Sequence, residues 1–191
     1  MITKAKIGDN ITAQVIRNIK DFNPKFMVRS VWDWECRDKY GNLKWMDKRH
    51  NVCTAEGLNA LLNIMFHGST QITTWYVAIF ETDTTPSDTT TYATPVYTEC
   101  TAYDEANRPE FVEAAASSKM LSNSASPALF TINATKTIYG GALLGGGSAA
   151  STKGNTAGGG TLFCASKLPF ARSCVDDDVI KIIISLTAAD T

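Results

Sequence analysis

The alternation of apolar and polar positions along this chain is mostly of period two. From Phe26 to Cys36, Val28, Ser30, Trp32, Trp34 and Cys36 share one parity, and Met27, Arg29, Val31, Asp33 and Glu35 share the other. The aromatic parity suits a strand with one face in a core. Tyr40-Gly41-Asn42 supplies turn chemistry, and Leu43–Asp47 reads as the returning strand. A β-hairpin is predicted, with Trp32, Trp34 and Trp45 pairing across it. Thr74–Glu81 is apolar on both parities and is predicted to be a central strand. Short strands are expected at Val96-Tyr97, Glu110–Glu113, Met120-Leu121, Ala128–Asn133, Lys136–Leu144 (with a bulge or close backbone approach at Gly140-Gly141) and Thr161–Ala165. In the last strand, Val179–Thr187, residues Ile180, Ile182, Ile184 and Leu186 form the core parity.

One segment has helical period. Leu58, Leu61, Leu62 and Met65 fall at i, i+3, i+4 and i+7 and form a single apolar stripe. Thr54 is placed to cap, Glu56 lies in the first turn where the helix dipole favours it, and His67-Gly68 stops the helix. The helix is predicted over about 54–66, covering one end or edge of a sheet. The expected fold is therefore mainly β: an antiparallel β-sandwich or jelly-roll-like body over 26–191, one short helix, and an extended N-terminal arm over 1–25 in which Asn23-Pro24 breaks a weak periodicity.

Composition agrees with this. Thr (23), Ser (13), Ala (22) and Gly (13) together make up 71 of 191 residues, as expected of strands and loops rather than helical bundles. Thr82–Thr98 reads as a long surface loop, Gly145–Gly160 as a flexible hairpin loop, and Asp176–Asp178 as a solvated acidic turn. The net charge of -1 hides an asymmetry. Residues 1–50 hold 11 Lys/Arg against 6 Asp/Glu, and residues 51–191 hold 7 against 13, giving +5 and -6. The basic residues are interleaved with Asp9, Asp21, Asp33 and Asp38 and form no block, so direct nucleic-acid binding is not expected. An arm that docks on a neighbour is. Its docking charges would be Lys4, Lys6, Arg17, Lys20 and Lys25, and its apolar grip Ile11, Val15, Ile16 and Ile19.

Candidate chemistry is sparse. The five cysteines include no C-x-x-C pair, and the only histidines are His50 and His67, so neither a metal site nor a cofactor is expected. Cys36, Cys53 and Cys164 lie in or beside apolar runs and read as buried reduced thiols. No G-x-S-x-G occurs, the paired carboxylates (Asp104 and Glu105, Glu110 and Glu113) stand in polar surroundings, and no enzyme activity is expected. The glycine-rich loop lacks the strand-to-helix context of a phosphate cradle. Met1–Asn10 has no apolar signal region, and no apolar run approaches the roughly 18 residues that span a bilayer. Synthesis and assembly in the cytosol, without a membrane, are expected.

From Trp45 to Phe80 the order is an aromatic strand, a charged turn, Asn51-Val52-Cys53-Thr54, then Gly57-Leu58-Asn59-Ala60-Leu61-Leu62, and Thr74-Trp75-Tyr76-Val77-Ala78-Ile79-Phe80. This resembles structural proteins of tailed bacteriophages, in which an N-[VL]-V-T-x-x-G-x-N-x-L-L-type helix leads into a YVG(L/I)-type strand. Ala102–Pro109, Phe130–Thr135 with Ile138-Tyr139-Gly140, and Gly160–Phe163 continue the likeness, which covers about residues 30–190. Cys53 departs from it, since a second Val is more usual there. The resemblance implies a virion component assembled in the host cytoplasm. First comes a capsid decoration or cement protein bound to the major capsid protein, as a homo-oligomer or beside other virion proteins. A neck, tail or fibre-attachment protein is the alternative. Outside that class stands a carbohydrate- or host-surface-binding sandwich, with Trp75, Tyr92, Tyr97 and the 82–98 loop forming a shallow site.

Overall fold

The computed structural model describes residues 26–190, and the arm residues named above lie outside that range. Strands β1 (Phe26–Arg37) and β2 (Leu43–His50) form the expected antiparallel hairpin. Asp38 organises its turn: one carboxylate oxygen accepts from the Tyr40 N–H at 2.9 Å and the Asn42 N–H at 2.8 Å, and Gly41 takes a φ of +82°. Trp32, Trp34 and Cys36 are buried, as their parity predicts. The tryptophans do not pair across the hairpin. Its register sets Trp32 opposite Arg49, Trp34 opposite Asp47 and Trp45 opposite Cys36. Trp32 and Trp34 instead stack along their own strand face, with centroids 5.8 Å apart, and the Arg172 guanidinium lies 5.6 Å from the Trp45 ring centroid.

After the short β3 (Val52–Cys53) comes α1 (Ala55–Phe66). Thr54 caps it as predicted: its hydroxyl accepts from the Gly57 N–H at 3.0 Å and donates to the Leu162 carbonyl. The predicted apolar stripe turns inward only in part: Leu58 and Leu61 are half-buried, and Leu61 packs against the core. Leu62 and Met65 are exposed, and the buried helical residue is Gly57. The reason is steric. A Cβ on Gly57 would lie 2.5 Å from the Phe163 Cα, so the first turn lies directly on backbone. That close approach anchors the helix by its N-terminal end and leaves apolar side chains of its last turns in solvent.

The remaining strands are β4 (Trp75–Phe80), β5 (Met120–Ser122), β6 (Ala128–Thr131), β7 (Lys136–Gly145), β8 (Thr161–Cys174) and β9 (Val179–Asp190). They form two sheets. One runs β2-β1-β9, with β5 and β6 both paired to β9 at different heights; the other runs β3-β8-β7-β4. Within the compact unit Val28–Ala188, the main core draws on both sheets: Trp32 and Trp34, Ile180, Ile182 and Ile184 from the first, and Val77, Ile79, Ile138, Leu143 and Leu168 from the second. This is the expected sandwich.

β4 is an edge strand, not a central one. It is apolar on both parities because both of its faces are covered. Val77 and Ile79 enter the core, while Ala78 joins Tyr92, Ala142, Leu144 and Leu162 in a second cluster on the sheet's other face. Its open edge is capped by irregular segments. Val77 N–H bonds to Pro109 O and Phe111 N–H to Trp75 O, while Cys100 N–H bonds to Ile79 O and Glu81 N–H to Thr98 O. The strands expected at Val96-Tyr97 and Glu110–Glu113 are thus single bridges, at Glu99 and Glu110.

Gly140 and Gly141 mark both a bulge and a close approach. The β7–β8 register shifts between Ile138 and Gly140, and a Cβ on Gly140 would lie 2.0 Å from Ser166 O. β8 takes up the extra length around Pro169, where a missing N–H is tolerated.

Candidate interaction surface

The 146–160 loop joins β7 to β8, as expected, but it is tethered. Arg108, buried, donates to Ala150 O at 2.9 Å and Asn155 O at 3.0 Å, and its Nε donates to Glu99 at 2.9 Å. Burial disfavours the Arg108 charge, but the bonds to Glu99 outweigh it and raise the pKa further. Lys153 adds a bond to Tyr103 O at 2.7 Å and lies 4.2 Å from the Tyr103 ring centroid. The 82–98 loop is held likewise. A Glu56 carboxylate oxygen accepts from Tyr92 N–H at 2.9 Å and Leu162 N–H at 2.6 Å, so this first-turn residue ties loop, helix and β8 together.

These bonds decide the fate of the aromatic trio. Tyr92 and Tyr97 line one cleft of about 300 Å³ with Pro95, Glu99 and Arg108. Tyr92 is buried, and Tyr97 lies flat on Phe80 with centroids 4.7 Å apart. Burial pushes the Tyr97 hydroxyl pKa well up. Trp75 is elsewhere, edge-on to Phe163 at 5.6 Å. The structure therefore brings two of the three together and turns their faces into packing.

One exposed apolar patch lies on the helix; Tyr40, Met46 and Phe170 are exposed elsewhere. Leu62, Met65 and Phe66 are 49%, 66% and 81% exposed. Beside them runs a groove of about 290 Å³ lined by Leu61, Ile64, Ile72, Trp75, Leu121 and Leu186, so the helix and both sheets contribute to it. Glu113 is the titratable residue among those lining it. His50, at the end of β2, and His67, at the helix end, are both exposed.

Elsewhere one polar constellation does converge. Cys36 Sγ and Cys174 Sγ lie 4.0 Å apart, and an Asp178 oxygen lies within 4.8 Å of both. All three residues are buried, which corrects the solvated-turn expectation for Asp178; only Asp176 and Asp177 are exposed. Lys44 pairs with Asp178, and Val175 N–H donates to its Oδ2 at 2.7 Å. The bond between the thiols favours the thiolate at Cys36, and the same bond, together with burial, keeps Cys174 protonated. Sequence spacing hid this cluster, because Cys36 and Cys174 are 138 positions apart. Of the other thiols, Cys100 and Cys164 are buried and unpaired with sulfur while Cys53 is half-buried, and burial raises the pKa values of all three.

No protein-family model matches the chain, and no curated protein matches it. No helix among the described residues is long and apolar enough to cross a membrane.

Proposed function

We propose that this protein is a structural component of a tailed-bacteriophage virion, and specifically a decoration or cement protein that binds the major capsid protein of the assembled head. The observation that carries the reading is the unpartnered apolar end of α1, where Leu62, Met65 and Phe66 stand in solvent beside the groove. A soluble monomer gains nothing from such a patch, whereas a protein that is completed by its neighbours does. The resemblance of residues 30–190 to phage structural proteins supports the same reading, as does a sandwich whose two longest loops are tied down by Arg108 and Glu56. The mechanism is mass action: a partner that binds only the assembled shell shifts the equilibrium toward assembly.

The test is the copy number on purified particles, with binding of purified protein to emptied heads. A count on the order of hundreds per particle is expected, matching a capsid lattice, whereas roughly six or twelve copies would assign the protein to the neck or tail. Glycan binding without head affinity would place it outside the virion class.

A further inference from the structure

β1 and β8 belong to different sheets, and near their C-terminal ends two thiols meet a carboxylate. Cys36 Sγ, Cys174 Sγ and an Asp178 oxygen all lie within 4.8 Å of one another, with every residue at 1% exposure or less. The spacing is informative. Two thiolates held by one tetrahedral zinc at about 2.3 Å stand roughly 3.8 Å apart. A disulfide requires about 2.05 Å between the sulfurs. The 4.0 Å separation of Cys36 and Cys174 matches the first geometry without backbone movement.

The donor chemistry points the same way. Two sulfurs select a thiophilic ion such as zinc and disfavour calcium or magnesium, which take oxygen ligands. The charges also balance. Two thiolates and a carboxylate carry three negative charges, zinc carries two positive, and the ammonium of Lys44, already on Asp178, supplies the third. Lys44 and the Val175 N–H both use Asp178 Oδ2, so coordination through Oδ1 would leave both bonds standing.

We propose that Cys36, Cys174 and Asp178 are three ligands of a structural zinc site that staples the two sheets together. On binding, each thiol releases its proton to solvent, two sulfur–zinc bonds and one oxygen–zinc bond form, and no electron moves. A solvent molecule completes the tetrahedron. The role follows from placement: Cys36 lies on β1 of one sheet and Cys174 on β8 of the other, so one ion would tie the two sheets together. The inference is independent of the virion reading, since it rests on ligand geometry alone.

The test uses the full chain, reduced, stripped of metal with a chelator, and titrated with cobalt(II) as the spectroscopic probe. Thiolate-to-cobalt charge-transfer absorption in the near ultraviolet and tetrahedral ligand-field bands in the visible are expected. They should saturate at one equivalent and be displaced by zinc. Cys36→Ser and Cys174→Ser should each abolish the bands, and Cys53→Ser, a half-buried thiol outside the cluster, should retain them. Zinc should raise the melting temperature of the wild type but not that of Cys36→Ser. The wild-type titration needs no variant to fold. Absence of the bands in the reduced wild type overturns the proposal, as do undiminished bands in Cys36→Ser. So does an intact mass lighter by two hydrogens with Cys36 and Cys174 both blocked to thiol reagents, which would identify a disulfide.

Discussion

Gly57 shows how one atom fixes the seat of a helix. With no Cβ, its backbone rests on Phe163, and a methyl group there would meet the Phe163 Cα and O at 2.5 Å. Gly57→Ala should therefore destabilise the fold by about 1–3 kcal/mol, the usual cost of overpacking, where the same change on an open helix face would stabilise it. Denaturant titration of the variant against wild type checks this. Asp38 is a second such residue. The Asn42 side chain, and then the N–H groups of Asn42 and Tyr40, hold its carboxyl below the usual carboxylate range. A depressed folded pKa contributes stability that is fully present above the unfolded value and is lost as the pH falls through the folded one. The β1–β2 turn should hold through the ordinary carboxylate range and loosen only as the pH falls below it, and Asp38→Asn should flatten that acid dependence. Amide exchange at Tyr40 and Asn42 across an acid series reads both effects.

Among the elements, α1 and the long loops depend on one another. Thr54 is fully buried and bonds both to Gly57 N–H and to Leu162 O. Thr54→Ala should cost about 1–2 kcal/mol, at the upper end for a lost cap, because a β8 carbonyl loses its donor as well. The buried pair of Arg108 and Glu99 performs the equivalent task for the glycine-rich loop. Arg108→Leu leaves Glu99 buried and unpaired and should cost about 3–5 kcal/mol. Proteolysis should then cut first within residues 146–160, which mass spectrometry of the fragments would locate. Periodicity marked the helix and its cap correctly, since both are local properties of the chain. Of the apolar stripe, Leu58 and Leu61 turn partly inward while Leu62 and Met65 stay in solvent, because the seat of the helix is set by Gly57 and Phe163, which are far apart in sequence. β4 was misplaced for a related reason. Apolar residues on both parities report burial of both faces, and a loop can bury the second face as well as a neighbouring helix or strand can.

For the molecule as a whole, the proposed docking at the apolar end of α1 can be separated from stability. Met65→Lys and Phe66→Ser replace side chains that are already in water, so each should change stability by less than about 0.5 kcal/mol. Together they should abolish attachment to heads, measured by co-sedimentation of the purified variant with emptied particles. Retained attachment would move the docking surface elsewhere, with the basic arm next in line. Deletion of residues 1–25 separates the two contributions. A truncated chain that sediments with heads as well as the full chain would leave the helix end as the grip, and a chain that no longer does would assign it to the arm.

Alternation, turn residues and one helical period were enough to specify a β-sandwich body with a single capped helix, because each rests on chain-local geometry. They also located the Tyr40–Asn42 turn, the core faces of β1 and β9, and the glycine bulge in β7. Three things required the folded arrangement: which helix face is left bare, which loops cover the second sheet, and which thiols meet. Cys36 and Cys174 give no spacing signal along the chain, and Asp178 looks like one member of a solvated acidic run until the closing of the two sheets buries it beside Lys44. Convergence of residues from β1, β2, β8 and the turn before β9 depends on sheet packing, and no property of any single segment contains it.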